Sequence, residues 1–229
     1  FIPFLPIEKQ AKMEMTVDSD IIQNFRPNDD QERTILILLQ NNMELRPGGG
    51  YIGTFAIAKV KNGEIFYVET HNTNNFDGRV PDGTPVPFPM KEFLGIKDWK
   101  MRDSNWSPDF SVNALKAKEF YLAGKGGENF DAIIAVNAKV LSAILEKTGP
   151  ITVTEIDKVF TSENAVNDLE YLVEKGYKEI GFKHSSRKEV ITLLAQAILN
   201  RAKDLDYRKK IGLLKLAEES FKEKEIQLY

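Results

Sequence analysis

The residues best suited to chemistry in this chain of 229 residues lie in three short polar segments. The first is Gln40-Asn41-Asn42-Met43-Glu44-Leu45-Arg46-Pro47-Gly48-Gly49-Gly50-Tyr51. Glycines permit positive φ and let a ligand approach main-chain N–H groups. A guanidinium beside them is a partner for phosphate or carboxylate. The segment reads as a polar loop built for an anionic group; the alternative is a glycine-rich turn in which Arg46 pairs with Glu44. The second segment, Trp99 to Asp109, carries Arg102, Asp103, Asn105 and Trp106. Asp103 would bind a divalent cation if a second carboxylate joined it. Otherwise Asp103 is a turn residue, Trp106 a core plug and Asp109 a first-turn acid that favours the helix dipole. The third, His184-Ser185-Ser186-Arg187-Lys188, reads as the opening of a helix, with Ser185 or Ser186 as N-cap. Basic residues in a first helical turn oppose the macrodipole, a conflict that a bound anion resolves. The alternative is that both cations face solvent or pair with neighbours of Glu189. His184 reads as a hydrogen-bonded or surface side chain rather than a general base.

Composition narrows the chemistry. Lys and Arg number 31 against 34 Asp and Glu, a net charge of −3, so no global basic field favours nucleic acid. Any anion site must be local. The absence of cysteine removes disulfides, thiolate metal sites and a Cys nucleophile. Two histidines, His71 and His184, do not make a His-rich zinc site. The first segment contains no Gly-Lys-Ser/Thr phosphate loop, and a strand rather than a helix follows its glycines, which argues against a dinucleotide fingerprint. No apolar run approaches the roughly 18–20 residues that span a bilayer.

The elements that must position these residues follow from pattern. Thr34–Leu39 is a short apolar run with β-branched members, as in a strand buried on both faces. Residues 51–60 and 64–70 flank Asn62-Gly63, the strongest short hairpin signal. Residues 71–90, with four Pro, two Gly and three Asn, read as a long loop, with a helical turn at 90–94. Ser107 and Pro108 predict a helix start, and the helix runs to about Leu122 with Phe110, Ala114, Ala117, Phe120 and Tyr121 on one face. Strand 131–136, a helix capped by Asn137 and stopped at Gly149-Pro150, and strand 151–153 follow. Helices are expected over 164–175, 185–202 and 207–222, and residues 226–229 resemble the start of a strand. Ser19–Phe25 reads as a short helical piece. Alternating strands and amphipathic helices predict an α/β or α+β sandwich in one domain.

The first segment with its extension Ile52-Gly53, and Arg102-Asp103-Ser104-Asn105-Trp106-Ser107-Pro108-Asp109-Phe110, resemble an uncharacterised bacterial domain family of membrane-anchored envelope proteins. Its motifs run roughly Q-N-N-x-E-L-R-x-x-G-G-F-I-G and R-D-x-N-W-x-P-D-F. That family is similar, more distantly, to the LytR–CpsA–Psr (LCP) phosphotransferases, which move polymers from polyprenyl-pyrophosphate carriers onto peptidoglycan with a divalent metal. Arg46 falls where LCP enzymes carry Arg-Ser-Asp, Arg102-Asp103 matches their Pro-Arg-Asp segment, and Arg187 is similar to an arginine of their late Arg-x-x-Arg-Gln region. Pro47-Gly48 stands where those enzymes place a metal-binding Asp, and the Asn41-Asn42 region replaces an upstream Asp.

The resemblance implies an LCP-like mixed β-sheet between α-helices over residues 33–229, with residues 1–32 as an N-terminal extension. It implies Arg46, Arg102 and Arg187 as phosphate contacts converging on one pocket, with Asn41, Asn42 and Asn105 as hydrogen-bonding partners. Glu44 and Asp103 are the candidate catalytic residues, holding a cation or orienting a hydroxyl. The implied cofactor is Mg²⁺ or Mn²⁺, and the ligand a polyprenyl-linked pyrophosphate or a cell-wall glycan, with no nucleic acid. The location is extracytoplasmic, with a transmembrane anchor expected outside this chain. Two functions stay open: glycopolymer phosphotransfer, and a non-catalytic envelope module that binds peptidoglycan, glycan or a protein.

Overall fold

Two long antiparallel strands form the spine of the molecule. A computed structural model describes residues 30–184 and 186–229. Strand β1 (Arg33–Arg46) pairs with β2 (Gly49–Lys61), and β2 with β3 (Glu64–Asn72). Asn62 and Gly63 turn between β2 and β3 with φ of 52° and 76°, as their sequence predicts. On its other side β1 pairs in parallel with β4 (Ala132–Asn137), which pairs antiparallel with β7 (Ile226–Leu228). The sheet order is therefore β3-β2-β1-β4-β7, with β1 central, which explains its unbroken apolar run.

Helices cover both faces, the mixed-sheet sandwich that the resemblance implies. Leu36, Leu38, Phe55 and Ile57 pack beneath α3 (Phe110–Ala123), against Ala114, Ala117, Phe120 and Tyr121. The short α1 (Thr73–Asp77) adds Phe76 to that layer, and α2 (Phe88–Leu94) contributes a buried Met90. Ile35, Ala58, Val60 and Ala132 line the reverse face. A further cluster joins α4 (Lys139–Thr148), α5 (Ala165–Glu174) and α6 (Glu189–Lys203) to the small sheet of β5 (Ile151–Val153) and β6 (Lys158–Phe160). The last helix, α7 (Tyr207–Lys222), packs on α4 and leads into β7.

Several expectations are corrected. The segment read as a loop over 40–50 is instead the far end of the β1–β2 hairpin, turning only at Pro47-Gly48. Residues 71–90 contain the helix α1 and the start of α2. Asp109, not Ser107, caps α3, accepting from the Ser111 amide at 2.9 Å. Asn137 ends β4 and donates to Glu225 rather than capping α4. Helix α6 starts at Glu189, so Arg187 and Lys188 precede its first turn. Trp106 is half-buried, and Trp99 is the tryptophan that packs against the core. The strand β6 was not expected. Ser19–Phe25 and Ser185 lie outside the described residues.

Two irregularities shape the hairpin tip. Leu39 pairs with Thr54 and Gln40 with Ile52, so Gly53 is an extra residue in β2. That bulge restores Ile52 to the face of Phe55. Asn41 pairs with Tyr51 and Leu45 with Gly50, so residues 42–44 have no partner on β2. The three glycines then close a seam. The Gly48 amide donates to Asn105 O at 3.0 Å, and Asn105 Nδ2 donates to Gly50 O at 2.7 Å. Gly48 O accepts from Gln40 Nε2 at 3.1 Å and from Gln227 Nε2 at 3.2 Å. A Cβ on Gly50 would collide with the Asn41 main chain, and one on Gly48 would sit 2.8 Å from Asn105 O.

Gly50→Ala is expected to destabilise the fold by about 2–3 kcal/mol, because backbone blocks the added methyl. Gly212 of α7 has open space around a built Cβ, so Gly212→Ala is expected to stabilise by about 0.5–1 kcal/mol. Urea unfolding of the two variants checks both signs.

Candidate functional site

At the hairpin tip the chain brings Arg46 onto a buried acid. Asp103 ends a 3-10 turn (Met101–Asp103), and Trp99 Nε1 donates to its carbonyl at 2.8 Å. The turn is fixed from the other side by Asp77, whose Oδ1 accepts from the Met101 amide at 3.0 Å and Oδ2 from the Arg102 amide at 3.4 Å. Asp103 is 1% exposed. Arg46 Nε donates to its Oδ1 at 2.8 Å, and Arg102 Nε lies 3.6 Å from its Oδ2. Arg46 therefore pairs with Asp103 and not with the Glu44 carboxylate. Its Nη1 donates to Leu45 O at 2.9 Å.

Tyr51 and Asn74 complete the cluster. The Arg46 guanidinium lies 5.4 Å from the centre of the Tyr51 ring. Tyr51 OH donates to Asn74 Oδ1 at 2.7 Å, and Arg102 Nη1 reaches the same oxygen at 3.5 Å. Each guanidinium carries five N–H donors, and Asp103 engages one nitrogen of each. Donors are thus left for a further anion. An open cleft of about 490 Å³ adjoins this cluster, its charged lining being Lys97, Lys100 and Arg102 with Asp77, Asp82 and Asp98; Lys100 pairs with Asp82 at 2.6 Å. Burial pushes the Asp77 carboxyl up to about 6, and the Arg102 amide and guanidinium only partly offset this. Burial likewise raises the Tyr51 phenol.

The other nominated residues fall differently. Asn105 is wholly buried, and its Nδ2 serves the glycine seam. Asn41 accepts from the Met43 amide at 3.0 Å and so holds the bulge. Asn42 and Glu44 lie in that bulge, half-buried and exposed respectively. The glycine main chain is not an open cradle for an anion, because Gly48 already uses both its amide and its carbonyl. Arg187 is 8% exposed and contacts His184 at 2.5 Å and Glu174 at 3.8 Å. Arg187 is not among the residues that line the cleft beside Arg102. Its neighbour Lys188 does reach toward the hairpin, donating to Gly53 O at the bulge. Burial, then the adjacent Arg187, brings the Lys188 ammonium down to about 8.

Sequence reasoning missed Asn74 and Asp77 and gave no role to Tyr51, while Lys188 was singled out only with Arg187 as a basic residue at the start of a helix. Asp77 sits in the segment read as a loop; the run Asn72-Thr73-Asn74-Asn75-Phe76-Asp77 carries the only hint, since Asn72 is the cap of α1. The donors present do not fit a divalent cation. Asp103 gives its oxygens to two guanidiniums and Asp77 gives its oxygens to backbone amides. Among the described residues no group of three His, Asp or Glu side chains gathers.

Two outcomes test the electrostatics. Asp103→Ala leaves two partly buried guanidiniums without their shared acid and is expected to cost about 3–4 kcal/mol in urea unfolding. Asp77 binds its proton more tightly folded than unfolded. Its stabilising contribution is full below the ordinary carboxylate pKa near 3.8 and is lost as pH rises through about 6. Asp77→Asn is therefore expected to flatten the decline in stability between about pH 4 and pH 6, read as thermal midpoints across that window.

Comparison with known proteins places the chain. Its fold is similar to protein gbs0355 from Streptococcus agalactiae, at 12% identity and a TM-score of 0.53, over 92% of this chain and 71% of that one. Lin1025 from Listeria innocua gives 16% identity, a TM-score of 0.49 and coverage of 86% and 72%. TagV from B. subtilis gives 11%, 0.48, and 87% and 74%. At such identities the first comparison shows a common fold alone. No curated protein matches the sequence. No helix among the described residues is long and apolar enough to cross a membrane. Residues 30–173, more than half the chain, match the family model described as Protein of unknown function (DUF4012), and the protein belongs to that family.

Proposed function

We propose that this protein is an extracytoplasmic cell-envelope domain that binds a polyprenyl-linked pyrophosphate, or a related anionic glycan carrier, at the cleft beside Arg102. One observation carries the proposal. Arg46, from the hairpin tip, and Arg102, from the 3-10 turn, meet on one buried carboxylate, and Arg102 also lines an open polar cleft. Asp103 holds both guanidiniums in place, so their remaining N–H donors are pre-oriented for phosphate oxygens. Asn74, which accepts from the Tyr51 hydroxyl, also lines the cleft. The LCP resemblance of the two motifs supplies the class of ligand. It also supplies the envelope location, with an anchor outside this chain. Glu44 and Asn42, on the bulge, would meet sugar hydroxyls.

Binding without turnover suits these residues better than glycopolymer phosphotransfer. Transfer requires charge neutralisation at the moving phosphoryl group and a group that activates the acceptor. Asp103, the candidate for that work, is committed to two arginines. Gly48 stands at the place of the metal-binding Asp of the resembled enzymes, and among the described residues no group of three His, Asp or Glu side chains gathers for Mg²⁺ or Mn²⁺.

Co-sedimentation with vesicles that carry undecaprenyl pyrophosphate tests this. The wild type is expected to prefer them over plain vesicles, and Arg46→Ala or Arg102→Ala is expected to weaken binding about tenfold or more. Equal binding to both kinds of vesicle would sink the proposal. Metal-dependent transfer to a glycan acceptor would replace binding with catalysis.

A further inference from the structure

Helix α1 is a wall shared by two clefts. Its Asn74 and Asp77 face the cleft described above. Its Asn75 and Phe76, with Arg79 just beyond, line a second cleft of about 360 Å³, closed by β3 and by Ser186, Lys188 and Thr192 at the start of α6. Thr70 and Thr192 hydroxyls, 2.5 Å apart, fasten β3 to α6 along this cleft.

Three nitrogen-bearing side chains gather here. Arg79 stacks its guanidinium 5.2 Å from the centre of the Phe76 ring, and among the described residues no carboxylate lies within ion-pair distance of it. Lys188 is 8% exposed, and its ammonium donates to the bulge carbonyl of Gly53. His71 stacks on Phe55 at 4.9 Å, and its buried Nε2 has no hydrogen-bond partner. Burial lowers the pKa of the His71 imidazole, Glu69 opposes that shift, and Arg79 adds to it more weakly. The lining acids are Glu69 and Glu189. Glu69 is 52% exposed, 3.7 Å from His71, and accepts from the Tyr67 hydroxyl; Glu189 is also exposed. Solvent screens such exposed charges far more than a buried ammonium. Among the described residues the fold has thus buried one cation and left a second without an ion pair beside an open space, with the His71 imidazole in the same lining. The buried Lys188 ammonium feels Glu174 and Glu44 only as Coulombic attractions that do not offset its burial, and an anion in the cleft would complete its pairing.

We propose that this cleft is a second oxyanion site, in which Arg79 and Lys188 hold a phosphate or a carboxylate group and His71, Asn75 and Ser186 supply hydrogen bonds. The site goes beyond the carrier cleft and does not depend on it. Phosphate and the carboxylate of an acidic sugar share this chemistry.

Because the chain has two histidines, His71 gives an assignable imidazole signal beside the site. Sodium phosphate and sodium glucuronate are titrated separately into the protein at constant ionic strength, with the His71 ring resonances followed by NMR. A saturable shift of His71 is expected, with His184 unmoved. Arg79→Gln is expected to weaken the affinity about tenfold, the loss of one charge-assisted pair. Arg79 is exposed, so this variant should fold, and its thermal midpoint confirms that. Arg102→Ala is expected to leave the His71 titration unchanged even if it abolishes carrier binding, so the two sites fail separately. Tighter binding of glucuronate identifies an acidic glycan; tighter binding of phosphate identifies a phosphate-bearing one. No saturable shift with either anion, or a shift that survives Arg79→Gln, overturns the site.

Discussion

The site depends on one reciprocal pair of hydrogen bonds, Gly48 N–H to Asn105 O and Asn105 Nδ2 to Gly50 O. These bonds tie the tip of the first hairpin to the segment that follows the 3-10 turn. The groups involved are buried, and a buried amide left unpaired costs more than the bond itself contributes. The seam is therefore nearly obligatory once both strands have formed. With it closed, Arg46 is brought within reach of Asp103, and Tyr51 comes to lie under the guanidinium. Asp103 in turn is tolerable at full burial because two guanidiniums share its charge. The backbone seam comes first in this order and the ion pairs follow from it.

Much of the architecture was legible because local signals and tertiary demands agree. Asn62-Gly63 sets a turn that the flanking β-rich runs also require. The central position of β1 is written in an apolar stretch that only a two-faced burial explains. The far half of β1 was not legible. Gln40 to Arg46 is polar, and its strand conformation comes from partners on β2 and from glycine contacts with Asn105 and Asn113, which lie more than fifty positions away. Arg46 and Asp103 are 57 positions apart, so their meeting follows from topology rather than from any window of sequence. Asp77 was hidden for another reason: the prolines and asparagines around it signal a loop, while Asn72 quietly caps a helix of one turn. The placement of Arg187 and Lys188 turned on the start of α6. A boundary a few residues later than expected takes both out of the helix and lets Lys188 reach the Gly53 carbonyl.

The binding role proposed above follows from how the charges are held. Its guanidiniums are held by a carboxylate that a catalyst would need free, and its second acid, Asp77, is occupied with backbone amides. Preorganised donors favour affinity, because little side-chain entropy is lost when the ligand arrives. Turnover would instead demand a group whose protonation or coordination changes along the reaction. The half-buried Arg102, exposed enough to meet solvent and fixed enough to keep its direction, suits the first of these roles.

The glycines at the hairpin tip have an evolutionary consequence. Their Cβ positions are filled by the protein's own atoms, chiefly Asn41 main chain, Gln40 and the Asn105 carbonyl. A descendant could exchange Arg46 or Tyr51 for other side chains and keep its backbone, but it could not exchange Gly50. A motif anchored on those glycines therefore selects chains that share a joint in the scaffold, and such chains are free to differ in what they hold beside it.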